Sequence, residues 1–480
     1  MRKLFLKAIF LLVFVGADAQ SKQVINLGNN RELFVDQYLI ENLSDVQQKM
    51  HHPRNEGPVL YFDKPWEGNF SAYNTIIKDG DLYRLYYRGI REAGSDGNDS
   101  EVTCYAESRD GINWIKPDLD IYTIGGTKKN NVILAHAAPV THNLSPFLDK
   151  NPNAKASQRF KALGGTSPGG LKAYVSADGI HWNLLQDKSV ITEGHFDSQN
   201  VAFWSESESK YVSYIRTGAK EGNKSYRSVS RATSTDFVNW DKPEPMKFGN
   251  VPYDHLYTQQ TSPYYRAPHI YVAIGARFMP GRQVVSDEQA AVLNVNPQYY
   301  KDCSDAIFMT TRGGNHYDRT FLESFIRPGI GLENWVSRSN YPALNIVQTG
   351  EQEMSVYVGE SYAQEGAHLK RYSMRIDGLV SLQAGMKEGS VITKPFKFEG
   401  KELEINYSTS AAGYVKVELL DVNGKSLPGF SKDDVTEIIG NEIKRVVTWK
   451  SNQSLSAISG KPVKLKFYLK DADLFSFKFN

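Results

Sequence analysis

Apolar and aromatic residues alternate with polar ones in short runs along most of this chain, a pattern typical of β-strands separated by turns. One order recurs: an apolar strand, a tight turn, an aromatic strand, and a third strand that ends in a polar turn. In one copy the strands are residues 73–77, 82–87 and 102–107, with an Asp79-Gly80 turn. Helix-periodic segments are nearly absent. The pattern predicts an all-β chain built from a repeated unit.

A short motif marks the end of each copy. Ser-x-Asp-Gly-Ile-x-Trp occupies residues 108–114 and 176–182, returns with Phe for Gly at residues 234–240, and is faint at residues 311–317. A fixed motif at a long, variable spacing indicates one structural unit used repeatedly, with insertions in its loops. Its Asp can bond its own backbone, its Gly accepts positive φ, and its Trp can pack between sheets, so an architectural role is predicted. The copies together predict a five-bladed β-propeller.

The sequence pattern changes after Thr393, where strands of alternating apolar and polar residues are separated by Gly-, Asn- and Ser-rich turns. We therefore predict a propeller over residues 20–385 and a β-sandwich over residues 386–480. The second unit has no cluster of titratable groups, so we expect it to support the propeller or to contact carbohydrate.

The first residues have the features of a secretory signal peptide. Three basic residues precede an apolar run at residues 8–15, and residues 17–19 (ADA) form an A-x-A cleavage site. No later stretch approaches the about 18 apolar residues of a spanning helix, so we expect a secreted or periplasmic protein without membrane insertion. Removing residues 1–19 takes away three basic groups and one acidic group, which turns the formal net charge of +2 into zero. That balance argues against a nucleic-acid partner.

Candidate catalytic acids are those at the starts of the innermost strands and in the loops between second and third strands, because these places surround a propeller's channel. Glycosidic cleavage needs one carboxyl group that protonates the leaving oxygen and another that attacks or activates water. Burial separates the pKa values of the two groups. Each acid taken singly could instead be a solvated loop carboxylate. The predicted catalytic residues are Asp197, Asp254, Glu360, Asp305 and Glu101.

Basic and aromatic residues near strand ends are the candidate substrate contacts. Arginines gathered in a channel suit a sugar that carries a carboxylate or sulfate group, because guanidinium binds such groups in bidentate fashion. The alternatives are salt bridges between blades for the arginines and core packing for the aromatic residues. The predicted substrate-binding residues are Arg266, His269, Tyr257, Trp66, Tyr73 and Arg88.

No sequence signature of a cofactor is present. The chain lacks Walker, dinucleotide-binding and G-x-S-x-G motifs, and no histidines have metal-ligand spacing. We therefore predict no cofactor and no catalytic metal. A structural Ca²⁺ ion in the channel remains compatible with the scattered acids, because an oxygen-rich site needs no other signature.

Several segments carry a resemblance to a known group of proteins: residues 31–40 (RELFVDQYLI), 196–204 (FDSQNVAFW), 265–271 (YRAPHIY) and 320–329 (TFLESFIRPG), with the Asp-Gly turns. Over nearly its whole mature length the chain resembles secreted bacterial proteins described as glycoside hydrolase family 32-like. These belong to the five-bladed propeller glycosidases, which include families 32, 43, 62 and 68. The resemblance implies a glycosidase with its site in the channel, and it matches Asp197 to the central-blade acid that stabilises the transition state or tunes a pKa.

The chain departs from the characterised enzymes in their catalytic motifs. It has none of the Asn-Asp-Pro, Arg-Asp-Pro and Glu-Cys segments of family 32, and Tyr73-Asn74 stands where family 43 enzymes begin the first inner strand with Asp. Their catalytic residues are therefore not transferred, and fructan cleavage is not implied. The sequence predicts an exo-acting glycoside hydrolase for a plant or algal oligosaccharide. The alternatives are a non-catalytic glycan-binding propeller and a phosphorylase whose arginines hold phosphate.

Overall fold

The computed structural model describes residues 24–450 and 454–480, and almost all of its regular structure is β. Five separate antiparallel sheets follow one another along the chain. The first strands of the first four sheets contact one another in turn, and the split first strand of the fifth sheet contacts the second strand of the fourth sheet and the first strand of the first, so the five sheets stand radially around a central channel. This confirms the predicted five-bladed β-propeller.

Blades 1 to 3 each have four strands, ordered from the channel outward as they occur in the chain. Blade 1 consists of Ala72–Asp79, Leu82–Gly89, Val102–Ser108 and Val132–Leu134. Blade 2 consists of Ser145–Leu148, Phe160–Gly164, Lys172–Ser176 and Asn183–Leu184. Blade 3 consists of Val201–Ser205, Lys210–Glu221, Lys224–Ser234 and Glu244–Pro245.

Blades 4 and 5 each have a first strand that is split in two. Blade 4 consists of His255–Thr258 and Thr261–Tyr264, then Ala267–Met279, Cys303–Thr311 and Ser324–Ile326. Blade 5 consists of Tyr341–Pro342 and Val347–Gln348, then Glu353–Glu360, His368–Arg375 and, as its outermost strand, Arg54–Tyr61. The ring is thus closed by pairing the chain's earliest propeller strand with its last one.

The repeated Asp-Gly motifs form self-contained turns at the outer ends of the blades. The carboxylate of Asp178 accepts backbone N–H groups from Ile180 and His181, both at 2.8 Å. The ring of Trp182 then packs edge-on against Tyr86 of blade 1, with 6.3 Å between ring centroids. The same carboxylate-to-backbone bonds occur in the other two motifs, at Asp110 and Asp236. The motifs therefore have the architectural role that the sequence predicts.

The second unit combines both ends of the described chain. Its eight-stranded sheet contains Glu32–Leu33, Ile40–Ser44, Gln47–Met50, Val380–Ala384, Gly389–Thr393, Leu403–Leu420, Asn441–Val446 and Lys464–Phe479. A separate parallel pair, Ile25–Gly28 with Phe396–Phe398, packs on the same apolar core. The sequence placed residues 25–50 and 380–384 in the propeller, whereas their strands pair in this sheet because apolar side chains such as Phe34 and Leu382 belong to its core.

Regular helix is confined to short segments of the described chain. One α-helix, Asp287–Val292, lies in the insertion between the second and third strands of blade 4. Four 3₁₀ turns occur at Val140–His142, Ala156–Gln158, Leu332–Asn334 and Leu455–Ala457. None of these helices has the length and apolar character required to cross a membrane.

Candidate active site

The floor of the central channel is a pair of buried glutamines. The side-chain amide of Gln260 donates to the side-chain oxygen of Gln199 at 2.7 Å and to the carbonyl of Pro342 at 2.7 Å. Gln199 in turn donates to the hydroxyl of Thr75 at 2.8 Å. These bonds connect blades 1, 3, 4 and 5 across the axis. They close the channel below the site.

Above this floor lies a small space that we call the channel cavity. Tyr73, Gln199, Gln260, Arg338, Glu360 and Tyr362 are among the residues that surround it. Tyr73 has φ of 59° and Arg338 has φ of 61°, so both non-glycine residues hold left-handed backbone conformations. Such strain persists where the surrounding structure enforces it, and it is concentrated at functional sites. Two of the predicted site residues, Tyr73 and Glu360, therefore face the same cavity.

Asp197 is held at the start of blade 3 by a network of amides. The side chain of Asn143 donates to the carbonyls of Phe196 and Ser198 at 2.6 and 2.7 Å, and Asn200 donates to the same two carbonyls. Phe196 has φ of 59°, which turns the chain before Asp197. The backbone around the predicted acid is thus fixed from both sides.

The carboxylate of Asp197 forms an ion pair with Arg216, and 31% of its side chain is exposed. Arg216 extends from the second strand of blade 3, where its backbone N–H donates to the side chain of Asn200 at 3.0 Å. A carboxylate that contacts a guanidinium group remains ionised at neutral pH. The Asp197 carboxylate thus lies against Arg216, which borders the opening between blades 3 and 4.

Glu360 has a different environment. It is 2% exposed, it accepts a hydrogen bond from the hydroxyl of Tyr372 at 3.2 Å, and Lys370 approaches it to 3.3 Å. Burial raises the pKa of Glu360, and this effect outweighs the opposing influence of Lys370 and Tyr372. The group is therefore suited to carry a proton.

Glu101 and Arg88 meet at a histidine that the sequence analysis did not identify. His142 Nδ1 lies 2.8 Å from a carboxylate oxygen of Glu101 and 3.2 Å from Arg88. Burial and the charge of Arg88 lower the pKa of His142, while Glu101 opposes them. The Arg88 guanidinium also lies over the ring of Tyr73, 4.9 Å from its centroid. This cluster supports the Tyr73 wall of the channel cavity.

Asp254 and Asp305 are part of a separate ion-pair network. Asp305 binds Arg277 through two contacts at 2.9 and 2.6 Å, and Asp254 binds Arg319 at 2.8 Å. The residues that surround the channel cavity do not include either acid. Both were predicted catalytic residues, and the structure instead shows them joining strands and loops of blade 4.

Arg266 and His269 lie far from the channel cavity in the fold. Arg266 binds the buried carboxylate of Asp377 at 2.9 Å, and His269 binds Glu32 at 2.8 Å, both at the junction with the second unit. The reason is topological: Arg266 occupies the turn after the first strand of blade 4, at the opposite end from that strand's start. We therefore do not retain these two residues as substrate contacts.

Trp66 also lies outside the channel cavity. Its indole N–H donates to the side chain of Asn131 at 2.7 Å, and its ring packs on the core between blades 1 and 5. Its contacts correspond to the core-packing alternative.

The buried ring of Tyr257 separates the channel cavity from a second opening. Its ring packs against Tyr341 with 4.9 Å between centroids. Arg227 lies over the same ring at 4.6 Å and Arg338 at 5.2 Å. Arg338 faces the channel cavity, whereas Arg227 faces a wider groove between blades 3 and 4. This blade 3–4 groove is also bordered by His195, Arg216 and His255.

The insertion of blade 4, residues 280–302, covers one side of the channel. The ring of Tyr299 lies 5.6 Å from Phe70 of blade 1 and 5.5 Å from Tyr362 of blade 5. A backbone bond of 3.1 Å from Asn296 to Ala363 ties the insertion to blade 5. The channel is thus closed below by the glutamine pair and partly roofed by this insertion.

The acids near the channel do not form a metal-binding cluster in the described part of the chain. Across residues 24–450 and 454–480 there is no group of three or more His, Cys, Asp or Glu side chains placed to share a metal. Ca²⁺ takes six to eight oxygen ligands. The acids that reach this region are bound instead by Arg216, His142 and Lys370.

The structure adds residues that the sequence analysis missed. His142, Gln260, Tyr341 and Tyr362 all border the site, but each is a single polar or aromatic residue in a strand-like or loop segment. The left-handed backbone of Gln260, with φ of 47°, has no sequence signature either. Only the position of Gln260 just before an inner strand could have drawn attention to it.

No protein-family model matches the chain, and no curated protein sequence is similar to it. Solved structures of similar fold include a glycoside hydrolase with 11% identity and a TM-score of 0.45, over 67% of this chain and 92% of that chain. A β-1,2-mannobiose phosphorylase from Listeria innocua has 9% identity and a TM-score of 0.45, over 68% and 97% of the two chains. A fructofuranosidase variant from Schwanniomyces occidentalis has 11% identity and a TM-score of 0.40, over 88% and 97%. Similarity at this level assigns neither an activity nor a residue to this chain.

Proposed function

We propose that the protein is a secreted, exo-acting glycoside hydrolase that cleaves a plant or algal oligosaccharide at the mouth of the propeller channel. One observation carries the proposal: two carboxyl groups with different electrostatic environments are linked through Tyr73. Glu360 borders the channel cavity together with Tyr73, whereas Asp197 lies outside the cavity lining, pairs with Arg216 and accepts the Tyr73 hydroxyl through its main-chain carbonyl. Pairs of acids whose environments separate their pKa values are the pattern expected of glycosidic cleavage. Tyr73 connects them, since its hydroxyl lies 3.3 Å from the carbonyl of Asp197 and its ring borders the cavity beside Glu360.

In this proposal Glu360 is the general acid. Its raised pKa keeps the carboxyl group protonated to higher pH than that of an exposed Glu. It can then donate the proton to the departing glycosidic oxygen. The hydroxyl of Tyr372 holds the carboxyl group in place.

Asp197 is the ionised partner. Its carboxylate lies against the Arg216 guanidinium, and its partial exposure leaves room for water or sugar beside it. It either attacks the anomeric carbon or activates water, and these two roles require carboxyl separations of about 5–5.5 Å and about 6.5–9.5 Å when substrate is bound.

Three further features support the rest of the proposal. The glutamine floor and the roof of Phe70, Tyr299 and Tyr362 favour a pocket that accepts a chain end, hence exo action. The signal-peptide features of residues 1–19 favour secretion, although those residues lie outside the described part of the chain. The sequence resemblance to family 32-like proteins over nearly the whole mature length favours a glycan substrate.

The test is release of reducing sugar from plant and algal oligosaccharides by residues 20–480 and two variants. Asp197→Asn and Glu360→Gln should each reduce kcat at least about 100-fold. Two matched controls are used. Asp178→Asn changes an Asp-Gly turn at the outer end of a blade, and Glu353→Gln changes a residue on the same strand as Glu360 that binds Arg371. Both controls should retain activity. Hydrolysis that survives in Asp197→Asn and Glu360→Gln would contradict these roles, and a wild type inactive on the whole panel would contradict the hydrolase.

A second candidate function is phosphorolysis, favoured by the unpaired arginines beside Tyr257. Arg227 and Arg338 both lie at the site, and guanidinium groups are well suited to bind phosphate. A phosphorylase would cleave its substrate only when inorganic phosphate is added and would release a sugar phosphate. A hydrolase would be indifferent to phosphate.

A further inference from the structure

Two guanidinium groups at the site have no counter-ion among the described residues. Arg227 and Arg338 flank the ring of Tyr257, and no carboxylate of residues 24–450 or 454–480 comes within 4.0 Å of either one. One nitrogen of each side chain, Nη1 of Arg227 and Nε of Arg338, is buried without a hydrogen-bond partner. Arg338 contacts the neutral hydroxyl of Tyr362 at 3.4 Å and that of Tyr299.

Neighbouring arginines at the same end of the propeller differ in this respect. Arg216 contacts Asp197, Arg277 contacts Asp305, and Arg319 contacts Asp254. Among the buried and half-buried arginines at this end of the described chain, the absence of a carboxylate partner distinguishes Arg227 and Arg338. It does not follow from a general lack of acids in this region.

The local electrostatics make this absence costly. Burial lowers the pKa of Arg216, and the nearby charge of Arg227 lowers it further, which shows that positive charges crowd here. Contact with an aromatic ring offsets only part of the cost of desolvating a cation. Buried charges are ordinarily paired. A site that retains two unpaired guanidinium groups is therefore prepared for an external anion.

We propose that Arg227 and Arg338 bind the anionic group of an acidic glycan, a carboxylate or sulfate carried by the sugar itself. Arg227 faces the blade 3–4 groove and Arg338 faces the channel cavity, so the anionic sugar lies across the Tyr257 wall next to the proposed catalytic acids. This inference rests on the proposed function for its substrate class, but anion binding is measurable without catalysis.

The experiment measures binding by calorimetry to the Glu360→Gln protein, so that no turnover occurs. The probes are digalacturonate, its carboxyl-reduced counterpart digalactose, galactose 6-sulfate and inorganic phosphate. Arg227→Gln and Arg338→Gln are introduced separately in that background. Arg54→Gln is the matched control, because Arg54 is 75% exposed on the outer strand of blade 5. The melting temperature of each variant without ligand establishes folding.

We expect digalacturonate or galactose 6-sulfate to bind at least about tenfold more tightly than digalactose. Either Arg→Gln change should remove that preference, Arg54→Gln should not, and added salt should weaken it. Equal binding of digalactose, or unchanged binding in both folded arginine variants, would overturn the proposal. Binding of inorganic phosphate alone would also overturn it, because the oxyanion would then be a co-substrate. So would a failure of every probe to bind.

The two proposals fail separately. If the acidic sugars bind through Arg227 and Arg338 but no glycan is hydrolysed, the anion site stands and the hydrolase does not. If neutral oligosaccharides are hydrolysed and the arginine changes have no effect on kcat/KM, the hydrolase stands and the anion site does not.

Discussion

The hydroxyl of Tyr73 in blade 1 donates a hydrogen bond to the main-chain carbonyl of Asp197 in blade 3, with 3.3 Å between the oxygens. The bond crosses the channel and joins two blades that are not sequence neighbours. Tyr73 itself has a left-handed backbone, as does Phe196 just before Asp197. The position of the proposed anionic carboxylate thus depends on a side chain from the opposite wall.

Tyr73→Phe should remove this bond with little loss of stability. A single neutral hydrogen bond contributes about 1 kcal/mol to the free energy of unfolding, whereas a small displacement of a catalytic group is costly in rate. We expect kcat to fall about tenfold with KM nearly unchanged. Steady-state kinetics and thermal unfolding measured on the same preparation check this. A variant that loses stability and activity in proportion would show a merely structural role.

Glu360 should impose an upper pH limit on activity. Burial raises its pKa, so the acid form that donates the proton disappears only as pH rises through that raised value. The alkaline limb of the kcat/KM profile should therefore lie above the usual Glu pKa of about 4.3. Such a limb that persists unchanged in Glu360→Gln, at its residual rate, would assign it to another group.

The same carboxyl group should make stability depend on pH. The native protein binds the Glu360 proton more tightly than the unfolded chain does, so the free energy of unfolding falls as pH rises from the unfolded pKa through the folded one. Glu360→Gln should lack this decrease, since it cannot ionise. Denaturant unfolding of the two proteins at a series of pH values measures the difference. Parallel curves for both proteins would contradict the raised pKa.

Asp236, in the third Asp-Gly-type turn at the outer end of a blade, should contribute to stability and not to activity. Partial burial opposes ionisation, but bonds from Asn239, Val238 and Ser234 outweigh it and lower the pKa of Asp236 to about 2. Asp236→Ala removes an acceptor of backbone N–H groups and should reduce the free energy of unfolding by about 1–2 kcal/mol. The wild-type contribution should be complete above about pH 3.9 and disappear as pH falls through about 2. Unchanged kcat together with a lower melting temperature would agree with this expectation.

Asp377 should hold the propeller against the second unit. Its fully buried carboxylate binds Arg266 at 2.9 Å, accepts from Tyr264 at 2.8 Å and Ser476 at 2.6 Å, and lies 3.6 Å from Arg31. Asp377→Ala leaves these cations unpaired and should cost about 3–5 kcal/mol. Asp63→Ala, at an ion pair whose acid is 64% exposed, should cost less than about 1 kcal/mol. Thermal unfolding of both variants gives the comparison.

The fold was largely predictable from sequence because the patterns that specify its strands and turns are local. The alternation of apolar and polar residues, the Asp79-Gly80 turn and the recurring Asp-Gly motifs each depend on contacts within a few residues. The assignment of residues 25–50 failed because their pairing partners, such as Phe477 for Glu32, are distant in the chain. Nothing in a short apolar strand specifies which of two sheets it will join.

The position of a site residue was predictable only where the direction of its strand determines the end of the blade at which it lies. Tyr73 stands at the start of an inner strand and borders the channel cavity, and Asp197 shortly precedes another inner strand, so chain direction alone indicates the end of the blade at which each residue lies. Arg266 was misplaced because the turn after that strand must lie at the other end. The environment of His142 requires Glu101 and Arg88 to converge from another blade, which no spacing in the sequence reveals.

The closing strand Arg54–Tyr61 has a consequence for biosynthesis. It leaves the ribosome before any other propeller strand, yet its partner His368–Arg375 is made after all four preceding blades. During that interval its hydrogen-bonding edge has no native partner, and an exposed edge of this kind invites aggregation. The topology therefore requires that this segment be shielded until translation is nearly complete.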